Sequence, residues 1–433
     1  DNDRIEIGSC PVKTKDGWLL VTCRIQNHRD SNRVFAIEAV LLDLKKPKNI
    51  IGRTRGALIV PEELYEKHGQ ISNTIFPSGA LVKKDKKGEE VLVIYYGATD
   101  TTTAVAEVPL KPLLRSMKIP RKEDGFMRLT DGALMAPRKD IDWESKALFN
   151  PAAIYLGKKV HILYRAMSQD NTSVIGYAQS PDGVTISYRS SQPIYAPRES
   201  FEDKRVPHGN SGCEDPRIVK IGDTLYLCYT AYNGITPPSV AVSAISAKDF
   251  LAKKWNWSRP VLVTRDGVDD KDGCLHPEKI KGKYFLYHRV DNHIVGDFGE
   301  TPWFKEKNNF KNIPILYPRQ GMWDSQKVGI STPPIKTEKG WLLLYHGVSI
   351  HSRYRVGAVL LDLKDPTKVL SRTTDAIFEP AEAYEIQGQV NYVVFPCGAV
   401  VKDGNILMYY GGADSVVDVA TIKLKNLLDI LTK

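Results

Sequence analysis

The chain carries a copy of its own end near its beginning. Asp16-Gly17-Trp18-Leu19-Leu20 answers Lys339-Gly340-Trp341-Leu342-Leu343, and Ala39-Val40-Leu41-Leu42-Asp43-Leu44 answers Ala358-Val359-Leu360-Leu361-Asp362-Leu363. Further along, Phe76-Pro77-Ser78-Gly79 answers Phe395-Pro396-Cys397-Gly398, and Tyr95-Tyr96-Gly97 answers Tyr409-Tyr410-Gly411. These blocks recur in one order, so the N-terminal quarter is a second copy of the C-terminal quarter. A repeat of this kind restricts the fold to architectures in which like units bury their apolar faces against one another.

The repeated unit reads as β-structure. Apolar runs at 18–22, 91–96, 160–165, 224–230, 284–288, 341–345 and 406–410 begin about 57 to 74 residues apart, often after a turn pair such as Gly157-Lys158 or Asp403-Gly404. That is the period of propeller blades. Helical patterning is confined to 110–116 and 424–431. The expected fold class is therefore all-β, a five-bladed β-propeller over about 125–433 whose closed ring leaves no exposed edge. It is preceded by a partial repeat of two blades at 1–115 and a linker at 116–124, where Pro, Lys and Gly interrupt the pattern. A single seven-bladed ring is the rival on spacing alone.

Charge and cysteines narrow the function classes. The net charge of +9 is spread among carboxylates, and the densest basic run, 83–87, contains Asp85, so the clustered stripe of a nucleic-acid binder is missing. A small anionic substrate makes better use of local positive charge. Six widely spaced cysteines without a CxxC pair signal neither a zinc site nor a disulfide framework, which fits a reduced, cytoplasmic setting. No apolar run approaches the ~20 residues of a membrane span, and Asp1-Asn2-Asp3-Arg4 lacks a signal-peptide pattern. No metal-ligand spacing and no glycine-rich phosphate loop is present, so neither a metal nor an organic cofactor is expected.

The stretch Gly212-Cys213-Glu214-Asp215-Pro216-Arg217 sets two acids and a base beside a proline that cannot extend a central strand. A turn at the mouth of the β-body is expected there, with acid chemistry or a plain Asp215–Arg217 pair as its use.

Together with Phe149-Asn150-Pro151-Ala152, His276-Pro277-Glu278-Lys279, Gly340-Trp341-Leu342-Leu343-Leu344-Tyr345-His346-Gly347 and Tyr409-Tyr410-Gly411-Gly412-Ala413-Asp414, that stretch resembles glycoside hydrolase family 130, the β-mannoside phosphorylases and their mannosidase relatives. The motifs occur in the family's order over about 125–433. The resemblance implies a five-bladed propeller with its site at the central mouth, acting on β-mannosides with inversion. It places Asp215 as the general acid, delivering its proton through a mannosyl hydroxyl, and implies inorganic phosphate as co-substrate.

By the same resemblance Arg259, Lys279, His346 and Tyr354 match phosphate-gripping positions, with Arg265 a substitute for Arg259. Asn150, Arg165 and Asp414 match sugar-contacting positions. Glu214 is expected to bind sugar or tune the acid, and Arg217 to contact sugar or orient Asp215. Arg289 is a further mouth candidate without an assigned role. The phosphate set favours phosphorolysis; hydrolysis and an inactive carbohydrate- or protein-binding propeller are the alternatives. The implied partners are a manno-oligosaccharide and phosphate, with no nucleic acid and no membrane, and with homo-oligomerisation open.

The N-terminal copy departs where this chemistry would lie. Cys23 stands opposite His346, no Glu-Asp-Pro-Arg motif is present, and only Asp100 keeps the place of Asp414. The copy is expected to be non-catalytic, and its sheet edges should need covering.

Overall fold

A computed structural model of the chain describes residues 4–26, 33–54, 56–117, 125–349 and 352–432. It divides into two compact units. Unit 1 is Asp1–Lys122 with Arg319–Ser325, and unit 2 is Glu123–Pro318 with Gln326–Lys433. Most of the expected linker, 118–124, lies outside the described residues. No described helix is long and apolar enough to cross a membrane.

Both units are β throughout, as the spacing of apolar runs predicts. In unit 2 the strands fall into sequential antiparallel groups. The first is Ala147–Leu156, Lys159–Met167 and Thr172–Ser180, with Tyr188–Arg189 alongside; the second is Ser211–Ile221, Thr224–Tyr232, Ser239–Ser246 and Val261–Leu262. A short parallel pairing, Thr172 to Ser211 and Ser173 to Gly212, bridges these two into one sheet. The third group is Asp270–Leu275, Tyr284–Val290, His293–Gly299 and Ile313–Leu316; the fourth is Lys327–Ile330, Gly340–Val348, Tyr354–Leu361 and Val369–Arg372, with Ile335–Thr337 beside it. The fifth joins the two ends of the unit, because Met127–Arg128 pairs with Val416–Lys423 outside Val394–Lys402 and Asn405–Gly412.

Local chemistry explains the hairpins. Gly157-Lys158 and Asp403-Gly404 each take positive φ at both residues, the backbone of a two-residue turn whose twist matches the flanking strands. Gly340–Val348 is buried along its whole length because it is covered on both faces. The helical patterns at the ends of the two copies form Leu110–Ser116 and Leu424–Thr432, the latter inserting Leu427, Leu428 and Leu431 into a core cluster.

Unit 1 repeats the last two groups of unit 2 strand for strand. Arg4–Ile7, Trp18–Gln26, Val34–Leu42 and Ile50–Arg53 form one sheet with Val12–Lys13, and Ile75–Lys84, Glu90–Ala98 and Thr102–Pro109 form another. Even the short helices between the two sheets agree. Leu64–Lys67 and Ala383–Ile386 each begin with a reciprocal Glu–Glu capping box, and the inner glutamates, Glu66 and Glu385, accept from Tyr96 at 2.8 Å and Tyr410 at 2.7 Å. The second sheet has no counterpart of the strand Met127–Arg128 among the described residues.

Candidate active site

The proline-containing motif is not the turn expected from its composition. It lies inside Ser211–Ile221, where the register with Thr224–Tyr232 slips between Glu214 and Arg217. A bulge absorbs the missing amide of Pro216, so the proline sits in a strand without breaking the sheet. The same device recurs in the neighbouring groups, with slips between Phe149 and Ala152 and between Lys271 and Cys274. At each bulge one residue has positive φ: Asn150 at 48°, Asp215 at 51° and Asp272 at 57°. Asn and Asp tolerate this conformation best among residues with a Cβ, and a proline or glycine follows each. All three side chains line one cavity of about 430 Å³ in unit 2.

At the acid centre, Asn150 Nδ2 donates to Asp215 Oδ1 at 2.9 Å, and Arg165 Nη1 reaches the same oxygen at 3.1 Å. Among the described residues, Oδ2 has no hydrogen-bond partner. Arg165 also donates to Glu214 at 2.8 Å and to Ser173 at 2.9 Å, with its guanidinium over the Phe149 ring. Glu214 thus fixes the arginine that holds the acid. Asp414, half-buried on the same cavity, has its pKa raised to about 7, by burial first and then by the negative charges of Asp215 and Glu214. Asp414 is thus an acid of this cavity whose carboxyl is pushed up, a shift that its place after an apolar strand did not reveal.

Elsewhere the cavity is cationic. Lys271, Arg289, Lys327 and Tyr354 all line it. Lys271 and Arg289 are register partners, and Lys327 Nζ donates to Tyr354 Oη at 3.1 Å. Asp272 lies among them, 3.3 Å from Arg289 Nε and 3.2 Å from Arg217 Nη2. Burial pushes its carboxyl up, but Arg289, His346, Arg217 and Lys327 together hold it well below the usual range.

Several expected residues are placed elsewhere. Arg217 is fully buried and donates to the carbonyls of Asp215 at 3.0 Å, Ser331 at 3.1 Å and Ile330 at 2.6 Å, besides Asp272. It holds the acid's backbone and does not line the cavity. His346 lies behind the cavity wall, with its ring 4.4 Å from that of Phe395 and Nε2 3.6 Å from Asp272. Burial, reinforced by Arg289 and Lys327, lowers its pKa to about 3, and neither ring nitrogen has a hydrogen-bond partner among the described residues.

Arg259 is exposed and paired with Glu199 at 2.8 Å, because Trp257 takes the buried position of that segment. Arg265 donates to the carbonyl of Phe310 and does not line the cavity. Lys279 is exposed, with Nζ 4.5 Å from the centre of the Tyr284 ring. The reason is length. Asp270–Leu275 starts at the cavity and runs away from it at about 3.3 Å per residue, so the Pro-Glu-Lys motif emerges at the far end.

Of the cavity's cations, Arg289 is the mouth candidate named from the sequence; Lys271 and Lys327 were missed, the first with a partial signal. Arg289 lies late in an apolar strand as Arg165 does, and Lys271-Asp272-Gly273 repeats the acid-then-glycine pattern of a bulge. Lys327 had none. A second cavity of about 230 Å³ lies between Ala153, Val219, Pro334 and Val400; its largely apolar wall carries no acid. The first cavity is the one that gathers the acids and cations.

Comparison with known proteins gives a consistent picture. A family model described as beta-1,4-mannooligosaccharide phosphorylase matches residues 1–119 and 133–433, and so covers both copies of the repeat. The 1,2-beta-oligomannan phosphorylase of Thermoanaerobacter sp. (strain X514) is 38% identical over 307 residues, 69% of this chain and 98% of that protein. The beta-1,4-mannooligosaccharide phosphorylase of Ruminococcus albus is 33% identical over 312 residues, 69% of this chain and 89% of the relative. A crystal structure of a glycosyl hydrolase from Bacteroides ovatus superposes with a TM-score of 0.60 at 28% identity, covering 71% of this chain and 96% of the other.

Proposed function

This chain belongs to glycoside hydrolase family 130, and from that premise we propose that unit 2 is an inverting phosphorylase of β-mannosides. It transfers the terminal mannosyl group of a β-1,2- or β-1,4-linked manno-oligosaccharide, or of mannosyl-glucose, to inorganic phosphate. The products are α-mannose 1-phosphate and a shortened acceptor. One observation carries the reading: Asp215 shares its cavity with Lys271, Arg289, Lys327 and the hydroxyl of Tyr354.

Inversion requires an acid on the leaving-group side and a nucleophile on the opposite face of the sugar. Asp215 supplies the proton to the departing glycosidic oxygen, relayed through a mannosyl hydroxyl. Phosphate attacks the anomeric carbon as that bond breaks, held by cations and a hydroxyl donor suited to its charge. A hydrolase would need a second carboxylate free to activate water. Here Asp272 is occupied by Arg217 and Arg289, which makes it an anchor for the phosphate-side cations. Asn150, Arg165 and Asp414 hold the sugar, Glu214 fixes Arg165, and His346 backs the phosphate side as a neutral imidazole.

The same reading makes the five strand groups of unit 2 one five-bladed ring, closed where Met127–Arg128 joins Val416–Lys423. Arg128 reinforces that closure by donating to Glu385 at 2.6 and 2.7 Å. Unit 1 then supplies no blade of that ring and is a non-catalytic copy. Six unpaired cysteines, five of them buried, suit a reducing cytoplasm. No cofactor enters beyond phosphate as co-substrate.

Incubating the protein with β-1,2- and β-1,4-mannobiose, with and without phosphate, tests the reading. Mannose 1-phosphate formed only when phosphate is present supports it. Undiminished release of mannose in phosphate-free buffer makes the protein a mannosidase, and no turnover under either condition makes it a binding protein.

A further inference from the structure

Unit 1 exposes the two faces that its counterpart buries. In unit 2, Val328 and Ile330 on Lys327–Ile330 are fully buried, and that strand packs against Tyr284–Val290 and His293–Gly299 of the preceding group. Their counterparts in unit 1, Ile5 and Ile7, are 67% and 73% exposed. At the other end, Val400, Tyr409 and Val419 of unit 2 pack with Leu148, Ala153 and Ile162 of the first group, and Tyr409 donates to the Gly183 carbonyl at 2.7 Å. Their counterparts Leu81, Tyr95 and Val105 are 41%, 43% and 55% exposed. Thr102–Pro109 is also an edge strand among the described residues, a feature natural proteins ordinarily cover.

We propose that these two faces are an interface with a second copy of this chain, formed twice around a two-fold axis. In unit 2 each strand group packs its front on the back of the next, so an Ile5/Ile7 face and a Leu81/Tyr95/Val105 face are the two sides of a contact that unit 2 already builds. Unit 1 carries one of each. A single wedge cannot bring its own two faces together, but two wedges can, each front meeting the other's back. The four sheets then close into a ring of a size that propellers reach. The apolar character of both faces selects a partner that buries them, and a second copy supplies both complements at once. The interface uses residues of unit 1 and does not depend on the reaction assigned to the cavity around Asp215.

Sedimentation or light scattering of the full chain at micromolar concentration tests the proposal, with a dimer expected. Ile7→Asp and, separately, Val105→Asp each place a charge in one face and should halve the mass while leaving turnover per protomer unchanged. Thermal unfolding provides a second readout. The melting temperature of the parent chain should rise with protein concentration, and that of either variant should not. A chain that is monomeric at these concentrations, or a dimer that survives both substitutions with its concentration dependence intact, overturns the proposal.

Discussion

Where Gly340–Val348 carries His346, the corresponding strand of the N-terminal copy, Trp18–Gln26, carries Cys23, and the differences continue through the neighbouring strands. Gly329, beside His346 in register, is matched by Glu6 beside Cys23. A Cβ at Gly329 would lie 2.4 Å from both His346 Cε1 and Asp272 Oδ2, so the N-terminal strand has lost the gap that lets a histidine and a carboxylate approach. Tyr354 is matched by Phe35, which has no hydroxyl to offer an anion. What survives is the skeleton: both capping boxes, both buried Glu–Tyr contacts and both terminal helices. The comparison teaches that packing positions and phosphate-side positions answer to separate constraints. Selection for a foldable wedge keeps the former and does nothing to keep the latter.

The sharpest attempt to break this contrast is Asp215→Asn. Phosphorolysis should fall by about 10³-fold or more, the scale of a lost general acid. Activity left near the parent level would mean that the second copy, or another acid, does the chemistry. Next come Arg289→Ala and Lys327→Ala. Each should raise the KM for phosphate by about 10- to 100-fold with a smaller change for the mannoside, as expected when one charge-assisted hydrogen bond is lost. Initial rates at varied phosphate check this. Arg259→Ala and Lys279→Ala should change that KM by no more than about twofold, because both side chains are solvent-exposed.

The acids Asp414 and Asp100 hold equivalent places in the two copies, and their variants sharpen the contrast further. Below its raised pKa of about 7, Asp414 is neutral and can donate to a sugar hydroxyl. The rate should therefore show an alkaline limb near that value, which Asp414→Asn removes and Asp100→Asn leaves in place. A pH profile of kcat/KM decides.

The smallest effect on activity is expected from His288, in the part of unit 2 that the repeat does not duplicate. It bridges Asp270 at 2.7 Å and Asp297 at 3.2 Å. Burial would depress its pKa, but the two carboxylates raise it to about 9. A folded-state pKa above the ordinary 6.5 means its stabilisation is complete below that value and lost as pH climbs through about 9. His288→Gln should lower stability by about 3 kcal/mol at neutral pH and flatten that alkaline loss, as read by melts across pH.

Much of this was legible in the residues. Two-residue turns such as Asp403-Gly404, the alternation of apolar runs and the repeated blocks are local signals, and local signals fix strands and hairpins wherever they occur. Asn150, Arg165, Asp215 and Asp414 were reached through the family resemblance of their short motifs, and all four line one cavity. Lys279 does not, since a motif records which residues are near in sequence and not which end of a strand they leave from.

By itself, then, the sequence determined an all-β chain and a duplicated two-sheet unit, because each is written in spacing over a few residues, while Asp215 was singled out through the resemblance of its motif to a family. Only the tertiary structure decided which cations face that acid. Lys271, Arg289, Lys327 and Tyr354 come from separate strands and meet solely through the way the sheets are stacked. Burial likewise made His346 neutral and Asp414 hard to ionise, since the cost of holding a charge depends on what surrounds it in space.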